Sequence, residues 1–258
     1  MNLGLLESLS IYVISIGIIL FILLSYEIGY QISKRVQTQQ GISHDYGHMV
    51  GGVLAMLAFV LAFTFSMAAS QHSARKQHVL NEANAIGTAY LRADLIDAQH
   101  GTEIKRLLRS YVDARLLAVD KKTLAAAITK SIELHGFLWR QVSSTAVVTP
   151  NTNTSLLIQS INDVIDMHEK RVAAALTNRI PYTIWIAIFT IAALAMITLG
   201  IQTGLSKGAR KLVVVIPLIL AFASLLTVIV DLDRPQRGII KVGQQSMINL
   251  QVQMNSDR

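Results

Sequence analysis

Apolar positions along the chain gather into four long runs, and about 20 predominantly apolar residues suffice to cross a bilayer as a helix. They extend from Ile11 to Tyr30, from His48 to Ala69, from beyond Pro181 through Trp185 and Phe189 to Ile201, and from Leu212 to Val230. Pro217 lies inside the last run, where a kink is expected. Tyr12, Tyr26, Tyr30, Tyr46, Tyr182 and Trp185 stand near the ends of the runs, as interfacial anchors do. The first run lacks a basic segment before it and a small-residue cleavage site after it, so it reads as an anchor and not a cleaved signal.

Residues 70–179 carry no strand-like alternation, and their apolar period is helical. Ile104, Leu107, Leu108, Tyr111 and Val112 form one stripe. Leu124, Ile128, Ile132, His135 and Trp139 form a second, and Leu157, Ile161, Val164, His168 and Val172 a third. Breaks are expected at Gly101–Thr102, at Asp120–Lys121 and at Pro150–Thr154. No breaker separates the second run from Leu95, so that helix is expected to continue beyond the bilayer, and the last helix of the block to run up to Pro181. The fold class is therefore all-α: a polytopic membrane protein with four transmembrane helices and a helical bundle between the second and third spans. The expected division is 1–69, a first transmembrane hairpin; 70–179, a helical extramembrane domain; 180–231, a second hairpin; and 232–258, a C-terminal tail.

Composition agrees with this reading. The 258 residues are 52% hydrophobic and only 15% charged, against about 25% charged in a soluble domain. The absence of cysteine excludes disulfides and thiolate metal sites. With 23 Lys and Arg against 16 Asp and Glu, the net charge is +7, which in a membrane protein suits anionic lipid or dissolved anions better than nucleic acid. The charge pattern does not fix the orientation. Lys34, Arg35, Lys207, Arg210 and Lys211 in the short loops outnumber Arg234, Arg237 and Lys241 on the other side. Arg75, Lys76, Lys170, Arg171 and Arg179, at the membrane-proximal ends of the block, reverse that count.

Candidate chemistry is sparse. There is no phosphate loop, nucleophile elbow or HExxH, so no enzyme and no cofactor are expected. His44, Asp45 and His48 place two imidazoles about a helical turn apart, but such residues at a membrane entrance are more often interfacial than metal ligands, and no metal site is expected. Glu27 near a span end reads as a water-facing acid before an ion-handling one. Asp231–Leu232–Asp233–Arg234 closes the fourth span, either as an exit turn with an Asp–Arg contact or as an ion-sensing acidic site. The second span is the most informative. At 3.6 residues per turn, His48, Gly52, Ala55, Phe59, Phe63, Ser66 and Ser70 share one face, opposite Val50, Leu54, Leu57, Leu61 and Ala68. Such a face packs against another helix or, repeated around an axis, lines a pore. In the Asn81–Leu95 stretch, Glu82, Arg92 and Asp94 sit in a helix that also carries Val79, Ile86, Tyr90 and Leu91. Taken alone, such charges form a solvated face.

Several of these segments resemble a known family. NEANAIGTAYLRADL (Asn81–Leu95), YVDARL (Tyr111–Leu116) and DLDRPQRGII (Asp231–Ile240) are similar to the bestrophin-like bacterial membrane family of unknown function. LAFVLAFTFSMA (Leu57–Ala68) resembles the pore-helix segment of bestrophin anion channels, which has two phenylalanines four apart. The resemblance implies a homo-oligomer, pentameric in bestrophins, in the inner membrane of a bacterium. Its helical block would be cytoplasmic, and inorganic anions such as chloride would pass a hydrophobic neck. Carried onto this chain, it makes Gly52, Ala55, Phe59, Phe63 and Ser66 pore-lining and Arg75 and Lys76 anion-attracting. For Glu82, Arg92 and Asp94, in a stretch that carries the resemblance, it implies intersubunit or interhelix polar contacts, with Arg92 set against Asp233 or Glu82. The chain departs from bestrophins in having no acidic cluster of the calcium-clasp type after its last span. The alternative is a membrane sensor whose bundle binds a ligand and signals through a partner protein. A transporter lacks support, because no span shows paired interruptions.

Overall fold

The computed structural model describes residues 9–40, 47–118, 121–206, 212–234 and 238–257. Eight α-helices occur among them: α1 (Ile11–Gln40), α2 (Gly47–Arg92), α3 (Ala98–Leu117), α4 (Lys121–Val148), α5 (Thr152–Leu176), α6 (Tyr182–Leu205), α7 (Leu212–Leu232) and α8 (Gln245–Ser256). A 3₁₀ turn, Ala93–Leu95, follows α2, and no strand occurs among the described residues. The fold is all-α. Four helices are long and apolar enough to cross a membrane, with windows in Ile11–Arg35, Gly47–Leu95, Tyr182–Leu205 and Val215–Leu232. His44, Asp45, Lys207, Arg210, Lys211, Arg237 and the Asp120 end of an expected break lie outside the described residues.

The chain divides into two compact units. One comprises Met1–Gln71 with Arg179–Ile240, the other His72–Asn178 with Lys241–Arg258. The first contains the spans. Its tightest packing runs across the two expected hairpins, α1 against α6, and Gly29, Gly200 and Gly204 make that approach possible. A Cβ on Gly29 would stand 2.0 Å from the Ile197 carbonyl oxygen, one on Gly200 2.2 Å from that of Tyr26, and one on Gly204 1.7 Å from Ser33 Oγ. Small residues at a crossing let helix backbones meet, which drives association in lipid, where hydrophobicity does not. Ile22, Tyr26, Leu57, Leu61, Ile188, Ala192, Leu226 and Ile229 are in the core of this unit. α7 runs through Pro217 as one helix.

The second unit is built on the remainder of α2 with α3, α4, α5 and α8. Ile86, Ile104, Leu108, Tyr111, Leu138, Leu157 and Ile161 are at its centre. Caps fix the helix starts, because an Ncap side chain can accept from an otherwise unpaired backbone N–H. Asp97 accepts from His100 N at 3.0 Å and Asn151 from Thr154 N at 2.9 Å. The expected break at Gly101–Thr102 is thus displaced to Asp97. Gly101 lies inside α3, where a Cβ would stand 2.3 Å from the Ala93 carbonyl oxygen. α5 ends at Leu176, short of Pro181.

The first and third predicted stripes face the core, but the second does so only in part. His135 is buried and Leu124 and Ile128 are half-buried, whereas Ile132 and Trp139 are exposed, and α4 also buries Ala127, Ser131, Leu134, Leu138 and Val142. α4 has apolar residues on both sides, Phe137 and Val147 among the exposed ones, so periodicity alone does not choose its face. The segment read as a tail contains α8, which buries Met247, Leu250 and Met254 in the bundle core.

Candidate functional site

Two helix faces of α2 differ sharply within the membrane. Leu57, Leu61 and Ala68 are completely buried, with Val50 close to it, whereas Phe59 and Phe63 are 73% and 65% exposed in the single chain. Gly52, Ala55 and Ser66 share the exposed face, as do His48 and Ser70. The two phenylalanines therefore do not belong to a packing seam inside the subunit.

The two basic residues beyond this span part company. Lys76 is exposed. Arg75 is buried, and its guanidinium donates from Nε to the Ala174 carbonyl at 3.0 Å and from Nη2 to that of Asn178 at 2.9 Å. These carbonyls end α5, where a cation complements the negative end of the helix dipole. A role for Arg75 as a solvent-facing anion attractor does not fit this placement.

The acidic end of α7 is a set of backbone staples. Asp231 accepts from Ile239 N at 2.9 Å through Oδ1 and from Ile240 N at 2.8 Å through Oδ2. Asp233 Oδ1 accepts from Ile180 N at 2.9 Å. Arg179 donates to the Asp233 carbonyl, and Arg234 donates to the Leu9 carbonyl at 2.7 Å. All of these groups stay within the span-containing unit, and the two carboxylates hold chain turns through amides.

The strongest concentration of polar groups is in the bundle. Glu82 of α2 is fully buried between two guanidiniums. Arg115 Nε stands 2.8 Å from Oε1, off the line of a hydrogen bond, so that the pairing is ionic. Arg171 donates to Oε2 and also to Gln244 Oε1. The Tyr111 hydroxyl donates to Glu82 Oε1 at 2.7 Å and lies 3.2 Å from His168 Nδ1. His135 closes the group, its ring centroid 4.8 Å from that of His168 and 5.0 Å from that of Tyr111. Burial raises the Tyr111 hydroxyl well above its usual range, with the Glu82 charge adding to it. Arg92 and Asp94 belong elsewhere. Arg92 donates to the Leu156 carbonyl at 2.8 Å and to Ser160 Oγ at 2.6 Å, and Asp94 pairs with Lys105. Glu82 thus meets Arg115 and Arg171 in place of Arg92. No group of His, Asp or Glu able to hold a metal occurs among the described residues.

These helices and this site can be set beside known proteins. The family model of the bestrophin-like domain matches residues 14–247, nearly the whole chain. The chain belongs to the bestrophin-like family. No curated protein matches it. Crystal structures of a bacterial bestrophin homologue from Klebsiella pneumoniae share the fold of this bestrophin-like chain. One with a tyrosine-to-alanine mutation has a TM-score of 0.73, one with an isoleucine-to-threonine mutation 0.72, and one solved by zinc anomalous phasing 0.71. Each is 14% identical, over 93% of this chain and 98% of that one. At that identity the likeness bears on the fold alone.

Sequence reasoning singled out Glu82 in this bestrophin-like chain and missed the rest of its buried centre. A signal was present for part of it. Tyr111 and Arg115 are four apart in YVDARL, one turn apart on a helix face. His168 and Arg171 are three apart at the end of an apolar stripe. A buried acid needs buried cations, and these were the candidates on neighbouring stripes.

Proposed function

We propose that this bestrophin-like protein is one subunit of a homo-oligomeric anion channel whose neck is formed by α2. The observation that carries the reading is the outward exposure of Phe59 and Phe63, in mid-span and opposite the fully buried Leu57 and Leu61. A single subunit with four spans cannot enclose a hydrated path and pack its own core, so conduction requires several copies around an axis. The family resemblance supports five copies. Around the axis, Gly52 and Ala55 allow close approach, Phe59 and Phe63 make a hydrophobic constriction, and Ser66 marks the polar end of the stripe. Hydrophobic constrictions gate by dewetting. The positive edges of the phenyl rings favour anions such as chloride, and the exposed Lys76 raises their concentration near the exit. The family also supports a bacterial inner-membrane location with the bundle in the cytoplasm.

Purified protein reconstituted in liposomes tests this. The wild type is expected to be oligomeric in mild detergent, and F59A/F63A to pass chloride faster than the wild type. A monomeric wild type together with a flux-silent double variant overturns the reading.

A further inference from the structure

Four helices and the segment before α8 converge on Glu82, and the charges they bring do not balance. α2 supplies one carboxylate, Glu82. α3 supplies Tyr111 and the Arg115 guanidinium, α4 supplies His135, and α5 supplies His168 and the Arg171 guanidinium. Gln244, immediately before α8, adds a neutral amide. With both histidines neutral, the buried centre already has an excess of one positive charge.

The hydrogen bonds around Tyr111 fix the tautomer of His168. Tyr111 donates its hydroxyl hydrogen to Glu82, so its oxygen can only accept from His168, and neutral His168 carries its hydrogen on Nδ1. His135 Nε2 is buried without a hydrogen-bond partner, and the two imidazoles are only 7% and 1% exposed. A proton from solvent on either ring would add a cation beside two guanidiniums and another imidazole, with no second carboxylate facing it.

We propose that His135 and His168 make closure of the bundle acid-sensitive: proton uptake by the pair breaks the Glu82 centre and loosens α8 from its start, which Arg171 holds through Gln244. Tyr90, Arg109 and Asp113 hold its far end. The direction of the linkage follows from both rings lying at about 4, below the ordinary 6.5. Burial is the main cause at each, and the Arg115 guanidinium adds to it. An opened bundle would bind these protons more readily than the closed one. Stability from the neutral pair is therefore fully present above about pH 6.5 and is lost progressively as the pH falls from there through about 4.

The test uses the full chain in detergent, with thermal unfolding and amide hydrogen exchange followed from about pH 7.5 down to about pH 4.5, across the range in which histidine ordinarily titrates. The wild type is expected to lose melting temperature with a slope equivalent to about two protons taken up. Protection of the α8 amides should fall ahead of that of α3. H135Q/H168Q should flatten the slope whatever its absolute stability. H135Q alone, which removes a ring without a hydrogen bond at Nε2, should lose about half of it. A slope unchanged in H135Q, or α8 amides as well protected at low pH as the core of α3, overturns the proposal.

Discussion

At the scale of single residues, Glu82 carries more of the bundle than any other polar group, because one carboxylate compensates two guanidiniums away from water. Removing one partner of a buried ion pair costs about 3–5 kcal/mol, far more than the intact pair contributes net, since the remaining charge stays desolvated. E82Q is therefore expected to lower the melting temperature strongly at neutral pH. Adding R115M to E82Q should restore part of the loss by removing one of the uncompensated cations, and melting curves of the two variants check both statements. Glu82, Arg92 and Asp94 were legible in the sequence as charges in a stretch that carries the family resemblance. Their partners were not, because hydrogen-bond geometry depends on which helices meet. Arg92 reaches a carbonyl and a hydroxyl on α5, groups that leave no mark in a pattern of charges. Arg75 shows the same limit: a basic residue past a span looks like a surface charge until the end of another helix is found beneath it.

At the scale of elements, hydropathy marked where each of the four spanning helices begins to within about a residue, because lipid leaves an isolated helix no other way to satisfy its backbone. It could not say which spans touch. All four are apolar around most of their circumference, so neighbours are chosen by shape, and the shape signal is the glycine set at Gly29, Gly200 and Gly204. G200L is expected to separate α1 from α6 and to abolish folding into a discrete detergent-stable species, as read by size-exclusion chromatography. G17L, with open space around its Cβ, should leave the elution unchanged. The bundle helices were legible for the opposite reason. α3 and α5 each have a single apolar face against water, and their stripes were read correctly. α4 has two, and its buried face, with Ser131, Leu134, Leu138 and Val142, shares only His135 with the predicted stripe. α8 is short, and only the rest of the bundle core reveals that its three buried side chains belong there.

At the scale of the whole molecule, the question is whether the α2 face that leaves the subunit meets a second copy around a water-filled path. Substitutions on the two sides of this one helix separate the contributions of fold and conduction. Leu57 is fully buried among the other spans, and L57A should destabilise each subunit by about 2–5 kcal/mol through lost burial and the cavity left behind. Any surviving oligomer should conduct as the wild type does. Phe59, two residues away and largely exposed in the single chain, makes few contacts inside its subunit. F59A should therefore leave the melting temperature of the subunit fold nearly unchanged while widening the constriction and raising chloride flux in liposomes. The two measurements must move in opposite patterns. A face that merely contacts lipid would give neither effect in F59A. One that seals subunits together without a path would lower oligomer stability in F59A with no gain in flux. Only a face lining a hydrated axis leaves the subunit fold intact and lets more anions through.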